Sequence, residues 1–545
     1  MLNTDHGILR DLRPKGGAML RIFVVSTVAL LASVLGCSSG SGGGADVGTL
    51  EGDAVGLDSG WEVSESDAGD LVLPPDVSSD DSEVLPGDTI DAEEVGEDPD
   101  ASDLGDVTDD TLLPTPYQPE IEYCGKEPHK WLERSEVGDV VSWKEHLLSN
   151  LKISDIEALV PEGYEYLLPV QYGVRNFQLR YTTQDRGQKV EATAIVGVPV
   201  GPGLDNPLPV VVFQHGTTGF MDDCAPSKSL EEGVLPSLVL STRGYISVSP
   251  DYIGMVGFGA KSPEGTIHPY LVGEATAIAS LDAVRATVAA LEADSALPQG
   301  DVTRVALFGG SQGGHAAFFT ELFAPYYAPE FGIAGAVAVV PPTDLRVHAQ
   351  DGCANIVDST GNLIAALIAM WDWYGRRWEM GSALTDEEPL TLATTLPELM
   401  ASTCKISGSG YQDVTSTEQV FSEPFRTSCI NGDWAVVPDW SCVLAENSLL
   451  TTSVPRISDT PFLVIFGEND TLVVTAFERP LMEKLCDEGY RLQYRECAGA
   501  SHTGAAADSA PMIIKWLADR FSGEPLSEGD NCVMHSAAEM CAPAL

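Results

Sequence analysis

Five short stretches of the chain are largely apolar: LPVVVFQHG (208–216), YISVSPDY (245–252), RVALFGG (304–310), IAGAVAVV (333–340) and PFLVIFG (461–467). Runs of this length, rich in Val, Ile and Phe, predict strands buried on both faces, as the centre of a parallel sheet demands. Upstream, FQLRYTTQ (177–184) and VEATAIVGVPV (190–200) flank Asp185-Arg186-Gly187 and predict an opening antiparallel hairpin. YRLQYREC (490–497) alternates polar and apolar positions and predicts a strand at the sheet edge. EATAIASLDAVRATVAAL (274–291) spaces its apolar residues as a helix does, and PMIIKWLADRF (511–521) predicts a closing helix with Pro511 in its first turn. The alternation of strands and helices predicts an α/β chain with a mostly parallel central sheet and helices on both faces.

Two segments break this rhythm. Residues 345–459 hold four Cys and the run NLIAALIAMWDWYGRRW (362–378), in which Leu363, Ile364, Leu367, Ile368, Met370, Trp371 and Trp373 make an unusually apolar helix. This predicts a helical cap inserted between the strands ending near 340 and starting near 461, leaving 121–344 and 460–545 as the core. The cap's apolar face either lines an acyl-binding pocket or packs against the cap's own helices. The second exception is N-terminal. Arg10, Arg13, Lys15 and Arg21 precede the apolar run Ile22–Leu35 and then Gly36 and Cys37, the pattern of an export signal and too short to span a bilayer. VLGC (34–37) resembles the lipobox of bacterial lipoproteins, which implies that residues 1–37 are a lipoprotein signal and that Cys37 carries the lipid. Ser38 to Glu120 contain no Lys or Arg and 24 Asp and Glu, a composition that cannot offset its ordering entropy. Residues 38–120 are therefore expected to be a disordered acidic tether reaching roughly 50 Å from the membrane.

Charge and cysteine content narrow the partners. The formal charge is −51, and residues 121–545 alone carry −29, which excludes a nucleic-acid partner and disfavours anionic headgroups. Besides Cys37 there are ten Cys, compatible with five disulfides in an oxidising compartment. Short spacings make Cys486–Cys497, Cys429–Cys442 and Cys532–Cys541 the easiest pairs to propose, with the connectivity left open. No C-x-x-C or H-x-x-x-H spacing points to a metal.

The chemistry concentrates in FGGSQGGH (308–315), where Gly309, Ser311 and Gly313 fit G-x-S-x-G. GCSSG (36–40) fits it too, but only Ser311 follows a strand pattern and precedes a helix pattern. Such an elbow needs strained backbone at the serine and no Cβ at either flanking glycine. A serine hydroxyl needs a base with a pKa near working pH. His502, in SHTG after the last strand pattern, sits where that base belongs; His268 and His535 are its rivals, and His315 is expected to pack against the sheet. Asp470 in FGENDTLV is the expected orienting acid, with Glu468 and Asp344 as competitors. The order Ser, Asp, His, with gaps of 159 and 32 residues, is that of an α/β-hydrolase. The oxyanion needs two backbone N–H donors, expected from Gln312 and from QHGTTG (214–219), with Thr217 first and Gly216 second.

HGTTG followed by CAPS (224–227), SPDYIGM (249–255), HPYLVGEA (268–275), GGSQGGH, FGENDTLV and SHTG together resemble the secretory lipase family of α/β-hydrolases and its bacterial relatives. The resemblance runs from about 177 to 521. It implies hydrolysis of an ester with an apolar acyl group, no cofactor, an inserted cap, disulfides, and a triad at Ser311, Asp470 and His502. The lipobox and acidic segment are not part of that family's core pattern, and oligomeric state is left open. A serine peptidase of the same fold and a non-catalytic surface-binding protein are the competing readings; Arg376 and Arg377 are the candidates for a peptidase's charged subsite.

Overall fold

The computed structural model describes residues 116–125, 128–158, 160, 169–259, 261–375, 381–386, 391–404, 414–526, 532–535 and 538–541. The expected export signal, Cys37, the acidic segment to residue 115, and Arg376 and Arg377 lie outside the described residues.

The apolar runs become the middle of a ten-stranded sheet. Its strands are β1 (Val140–Glu145), β2 (Gly173–Asp185), β3 (Gln188–Val200), β4 (Leu208–Gln214), β5 (Ile246–Pro250), β6 (Gly300–Gly310), β7 (Ile333–Val339), β8 (Phe462–Gly467), β9 (Leu492–Cys497) and β10 (Val533–Met534). Their spatial order is β1-β2-β3-β5-β4-β6-β7-β8-β9-β10. The β2–β3 hairpin pairs antiparallel through all thirteen positions from Gly173↔Val200 to Asp185↔Gln188. From β5 onward every neighbouring pair is parallel. Strand β4 and strand β8 are buried at every residue, which is why their sequences show no polar face.

The helices are α1 (Ile153–Glu157), α2 (Leu235–Ser241), α3 (Gly273–Ala293), α4 (Gln312–Tyr327), α5 (Leu345–Ala354), α6 (Thr360–Trp373), α7 (Leu392–Met400), α8 (Glu423–Asn431), α9 (Pro438–Glu446), α10 (Thr475–Asp487) and α11 (His502–Phe521). Five of them, α5 to α9, fall between β7 and β8. On α6, Ile364, Leu367, Ile368 and Met370 are almost completely buried.

Three expectations are corrected. The strand at 490–497 is not the edge: β10 adds to it in parallel, so Glu496, although polar, is buried and paired with Arg479. The closing helix begins at His502, not Pro511. Its first turns, HTGAAADSA, are too short of large apolar side chains to show a helical period, and the Ser501 hydroxyl caps them by accepting from Gly504 N–H at 3.3 Å. None of the three short-spaced Cys pairs forms. The bonds are Cys124–Cys442, Cys224–Cys404, Cys353–Cys429, Cys486–Cys532 and Cys497–Cys541. Cys486 lies on α10 and Cys497 ends β9, and the C-terminal segment running beside β9 brings Cys532 and Cys541 to them. Cys429 instead faces Cys353 across α8 and α5.

Candidate active site

Ser311 sits where β6 ends and α4 begins, with φ 55° and ψ −121°. A non-glycine residue there is strained, and the strain persists only because the surroundings fix it. Its N–H donates to Val339 O at 2.8 Å, tying the turn to β7. The flanking glycines leave the room this requires. A Cβ on Gly309 would stand 2.1 Å from Gly313 O, and one on Gly313 would stand 1.9 Å from Gln214 O. Strand β4 and the first turn of α4 cross too closely for any side chain there. Gln312, the first residue of α4, lies at the helix end whose N–H groups and dipole favour negative charge.

Asp470 lies in the loop after β8, and His502 opens α11 just past the loop after β9. Those loops are fastened together by Glu468 N–H to Cys497 O at 3.0 Å and Asn469 N–H to Ala500 O at 2.9 Å. His502 Nδ1 lies 2.7 Å from Asp470 Oδ2, with both side chains buried. The other carboxylate oxygen, Oδ1, accepts from Leu472 N–H at 2.9 Å and Val473 N–H at 3.0 Å. A carboxylate only accepts, so Nδ1 carries the hydrogen, and in the neutral ring Nε2 is then the acceptor. Among the described residues that buried Nε2 has no hydrogen-bond partner.

The competitors are occupied elsewhere. Asp344 caps α5 by accepting from Arg346 N–H at 3.0 Å, and Glu468 accepts from Gly499 N–H at 2.7 Å. His535 lies 3.4 Å from Glu539 in the C-terminal segment. His315 does not use the sheet as its polar partner: its ring stacks obliquely on Phe319 and its Nε2 lies 3.0 Å from Asn447 O, in the insertion.

The loop after β4 carries Gly216 and Thr217. His215 Nδ1 donates to Gly216 O at 2.6 Å, and Thr217 Oγ1 donates to the Tyr270 hydroxyl at 2.8 Å. The Tyr252 ring lies between His215, at 4.2 Å, and His268, at 5.6 Å. Burial pushes His215 down to about 4 and His268 down to about 3, so both stay neutral at ordinary pH. Asp251, from the SPDY segment, is also buried. It accepts from Ser227 N–H at 2.7 Å and Thr193 Oγ1 at 2.5 Å, and burial lifts it to about 7.

Ser311 opens on a cavity of roughly 60 Å³ walled by Tyr270, Leu271, Leu345, Leu363 and Leu444, among others. Leu363 and Ala366 of α6 reach this wall, so one edge of the apolar helix lines the cavity while most of its large side chains make core. A larger hollow of roughly 770 Å³ lies within the insertion, around Phe421 and Trp440, and does not include Ser311. Sequence reasoning missed His348 and Asn362, which also line the cavity at Ser311. His348 Nε2 lies 2.6 Å from the buried Glu478 carboxylate, 130 positions away, and nothing in either local sequence announces the other.

A family model described as "Secretory lipase" matches residues 232–529. "Lipase A" of Arthroderma benhamiae is 25% identical over 375 residues, 65% of this chain and 72% of that protein. A protein of Mycobacterium tuberculosis described as a probable inactive lipase is 24% identical over 443 residues, 75% of this chain and 88% of its own length. Among solved structures, the rice cell wall degrading esterase LipA from Xanthomonas oryzae aligns with a TM-score of 0.55 and 20% identity, covering 71% of this chain and 97% of that one. Candida antarctica lipase A in its closed state aligns with a TM-score of 0.52 and 19% identity over 74% and 87% of the two chains. At these identities the structural likenesses speak for the α/β-hydrolase fold.

Proposed function

Because the chain belongs to the secretory lipase family, and is thereby an exported serine hydrolase acting on esters, we propose that it cleaves esters with an apolar acyl group through a triad of Ser311, His502 and Asp470. Ser311 Oγ attacks the ester carbonyl as His502 Nε2 takes its proton. The tetrahedral oxyanion is held by the N–H groups of Gln312 and Thr217, with Gly216 as the alternative donor. Collapse breaks the ester C–O bond, and the departing alcohol oxygen receives the proton from His502. Water, activated by the same Nε2, then hydrolyses the acyl-enzyme and returns Ser311 to its starting state. Asp470 fixes the imidazole tautomer and stabilises the transient imidazolium. The observation that carries the reading is the buried Asp470–His502 contact at 2.7 Å.

Turnover of chromogenic esters by the parent and by Ser311→Ala tests it. We expect a loss of about a thousandfold or more in the variant. Equal rates would remove Ser311 from the mechanism and favour the non-catalytic alternative, which the relative described as a probable inactive lipase keeps in view. The cavity is far smaller than the roughly 300 Å³ at the low end of ligand sites. Short acyl esters should therefore turn over faster than long ones, which need the insertion to yield. Cys37 is the proposed lipid anchor, with the acidic segment as tether. Cys37→Ala should move the protein from the membrane fraction to the soluble one, and retention on the membrane would count against lipidation.

A further inference from the structure

Two residues of the HPY segment, His268 and Tyr270, touch the side chains of the two residues proposed to supply the oxyanion donors. We infer that this segment is a brace for the oxyanion hole, and that His268 and Tyr270 are positioning residues for the reaction. The inference rests on the reading of Gln312 and Thr217 given under Proposed function.

The hydrogen-bond directions at His268 are forced. Its Nδ1 lies 2.9 Å from Ile253 O, and a carbonyl only accepts, so Nδ1 carries the hydrogen. Nε2 is then an acceptor, and Gln312 Nε2 donates to it at 2.6 Å. The stack of His215, Tyr252 and His268 keeps the ring in place, and burial keeps it neutral. Gln312, at the first position of α4, is thus held from its side chain while its N–H stays beside Ser311.

Tyr270 does the same for the other donor. Its hydroxyl oxygen accepts from Thr217 Oγ1 at 2.8 Å, and its ring meets Phe220 edge-on at 5.3 Å. His268 N–H donates to Phe220 O at 2.8 Å, so the 217–220 loop is clipped to the HPY segment along its length. The Tyr270 oxygen also accepts from Asn362 Nδ2 at 3.1 Å, which brings α6 of the insertion to the same point. A satisfied core histidine and tyrosine would affect stability alone. A brace affects the transition state, because a donor shifted by about 1 Å from the developing charge can lose about a hundredfold in rate.

The test uses Tyr270→Phe, His268→Leu and His268→Gln in the full exported chain. It measures thermal midpoint, kcat and KM on a short p-nitrophenyl ester, and affinity for an alkyl boronic acid, which forms a tetrahedral adduct on the nucleophile. Tyr270→Phe and His268→Leu should lower kcat by about ten- to a hundredfold with KM within about threefold, and boronate affinity should fall in step with kcat/KM. His268→Gln, whose amide oxygen can replace Nε2 as acceptor, should recover most of the loss. If folded Tyr270→Phe and His268→Leu keep kcat within about twofold, or change KM alone, the brace is overturned. Should His268→Leu fail to fold, Tyr270→Phe decides, since it removes one oxygen and keeps the ring. Ser311→Ala, run alongside, separates the two ideas. Loss of turnover there with intact brace variants refutes only the brace, whereas parental turnover in Ser311→Ala refutes the triad and the brace with it.

Discussion

Asp470 divides its two carboxylate oxygens between two tasks: Oδ2 meets Nδ1 of His502 at 2.7 Å, and Oδ1 closes the Leu472–Val473 turn through two N–H groups. The acid proposed to orient the base is itself held by backbone N–H groups, so the imidazole takes its position from the turn that follows strand β8.

Asp470→Asn should keep the fold and lose the tautomer. An amide nitrogen facing Nδ1 favours the ring with its hydrogen on Nε2, which then cannot take the proton of Ser311. We expect a loss of about a thousandfold or more in kcat with a far-ultraviolet spectrum like the parent's. Retention of more than a tenth of parental turnover would detach Asp470 from the reaction.

Gly313→Ala places a methyl group where Gln214 O already stands, at 1.9 Å, with backbone on both sides. Neither partner is a flexible side-chain end, so the expected cost is about 3 kcal/mol or more, seen as a fall in the denaturation midpoint. Gly381→Ala, whose added methyl meets nothing within 4 Å, is the matched control and should change stability by about 0.5 kcal/mol or less. Similar midpoints for the two variants would refute the crossing of β4 and α4.

Acid should weaken the fold through three histidines. Burial pushes His215 and His315 down to about 4 and His268 down to about 3 in the folded chain. The unfolded chain binds these protons near 6.5, so it holds more protons than the native state between about pH 6.5 and 3, and stability falls as pH falls through that window. Asp251, lifted to about 7 by burial, has the opposite sign: its contribution is lost as pH rises from about 4 to 7. Urea midpoints measured across pH should decline on the acid side of about 6.5 in the parent. Asp251→Asn should steepen the decline as pH falls from about 7 to 4, because it removes the contribution that opposes it. A midpoint that rises steadily on acidification would contradict the buried neutral histidines.

The parallel strands were legible because burial on both faces removes polar residues from a strand, as β8 shows at every position and β4 at every position but Gln214. The elbow was legible because its geometry restricts the residues at three neighbouring positions, Gly309, Ser311 and Gly313. The positions of Asp470 and His502 after neighbouring strands were legible from their order along the chain, since each follows a strand pattern. What escaped the sequence depends on contacts that leave no local trace. Cys486 has Cys497 eleven positions away, yet bonds Cys532, because the short β10 pairing that delivers Cys532 spans only Val533 and Met534. His348 and Glu478 meet across 130 positions, and Asn362 reaches Tyr270 from the insertion across 92. Pro511 marked a helix start that the small residues after Ser501 had already made.

Two of the five disulfides, Cys224–Cys404 and Cys124–Cys442, stitch the insertion to segments outside it, closing loops of 180 and 318 residues. By loop-closure entropy alone, loops of that length make such crosslinks worth about 5 to 6 kcal/mol each. Turnover of chain refolded with and without an oxidant would measure what they contribute to the wall over Ser311. Thiol-rich cytoplasm keeps these stitches open, so a newly made chain would ripen only after crossing the membrane, and the cell that makes it would be spared its attack on esters at home.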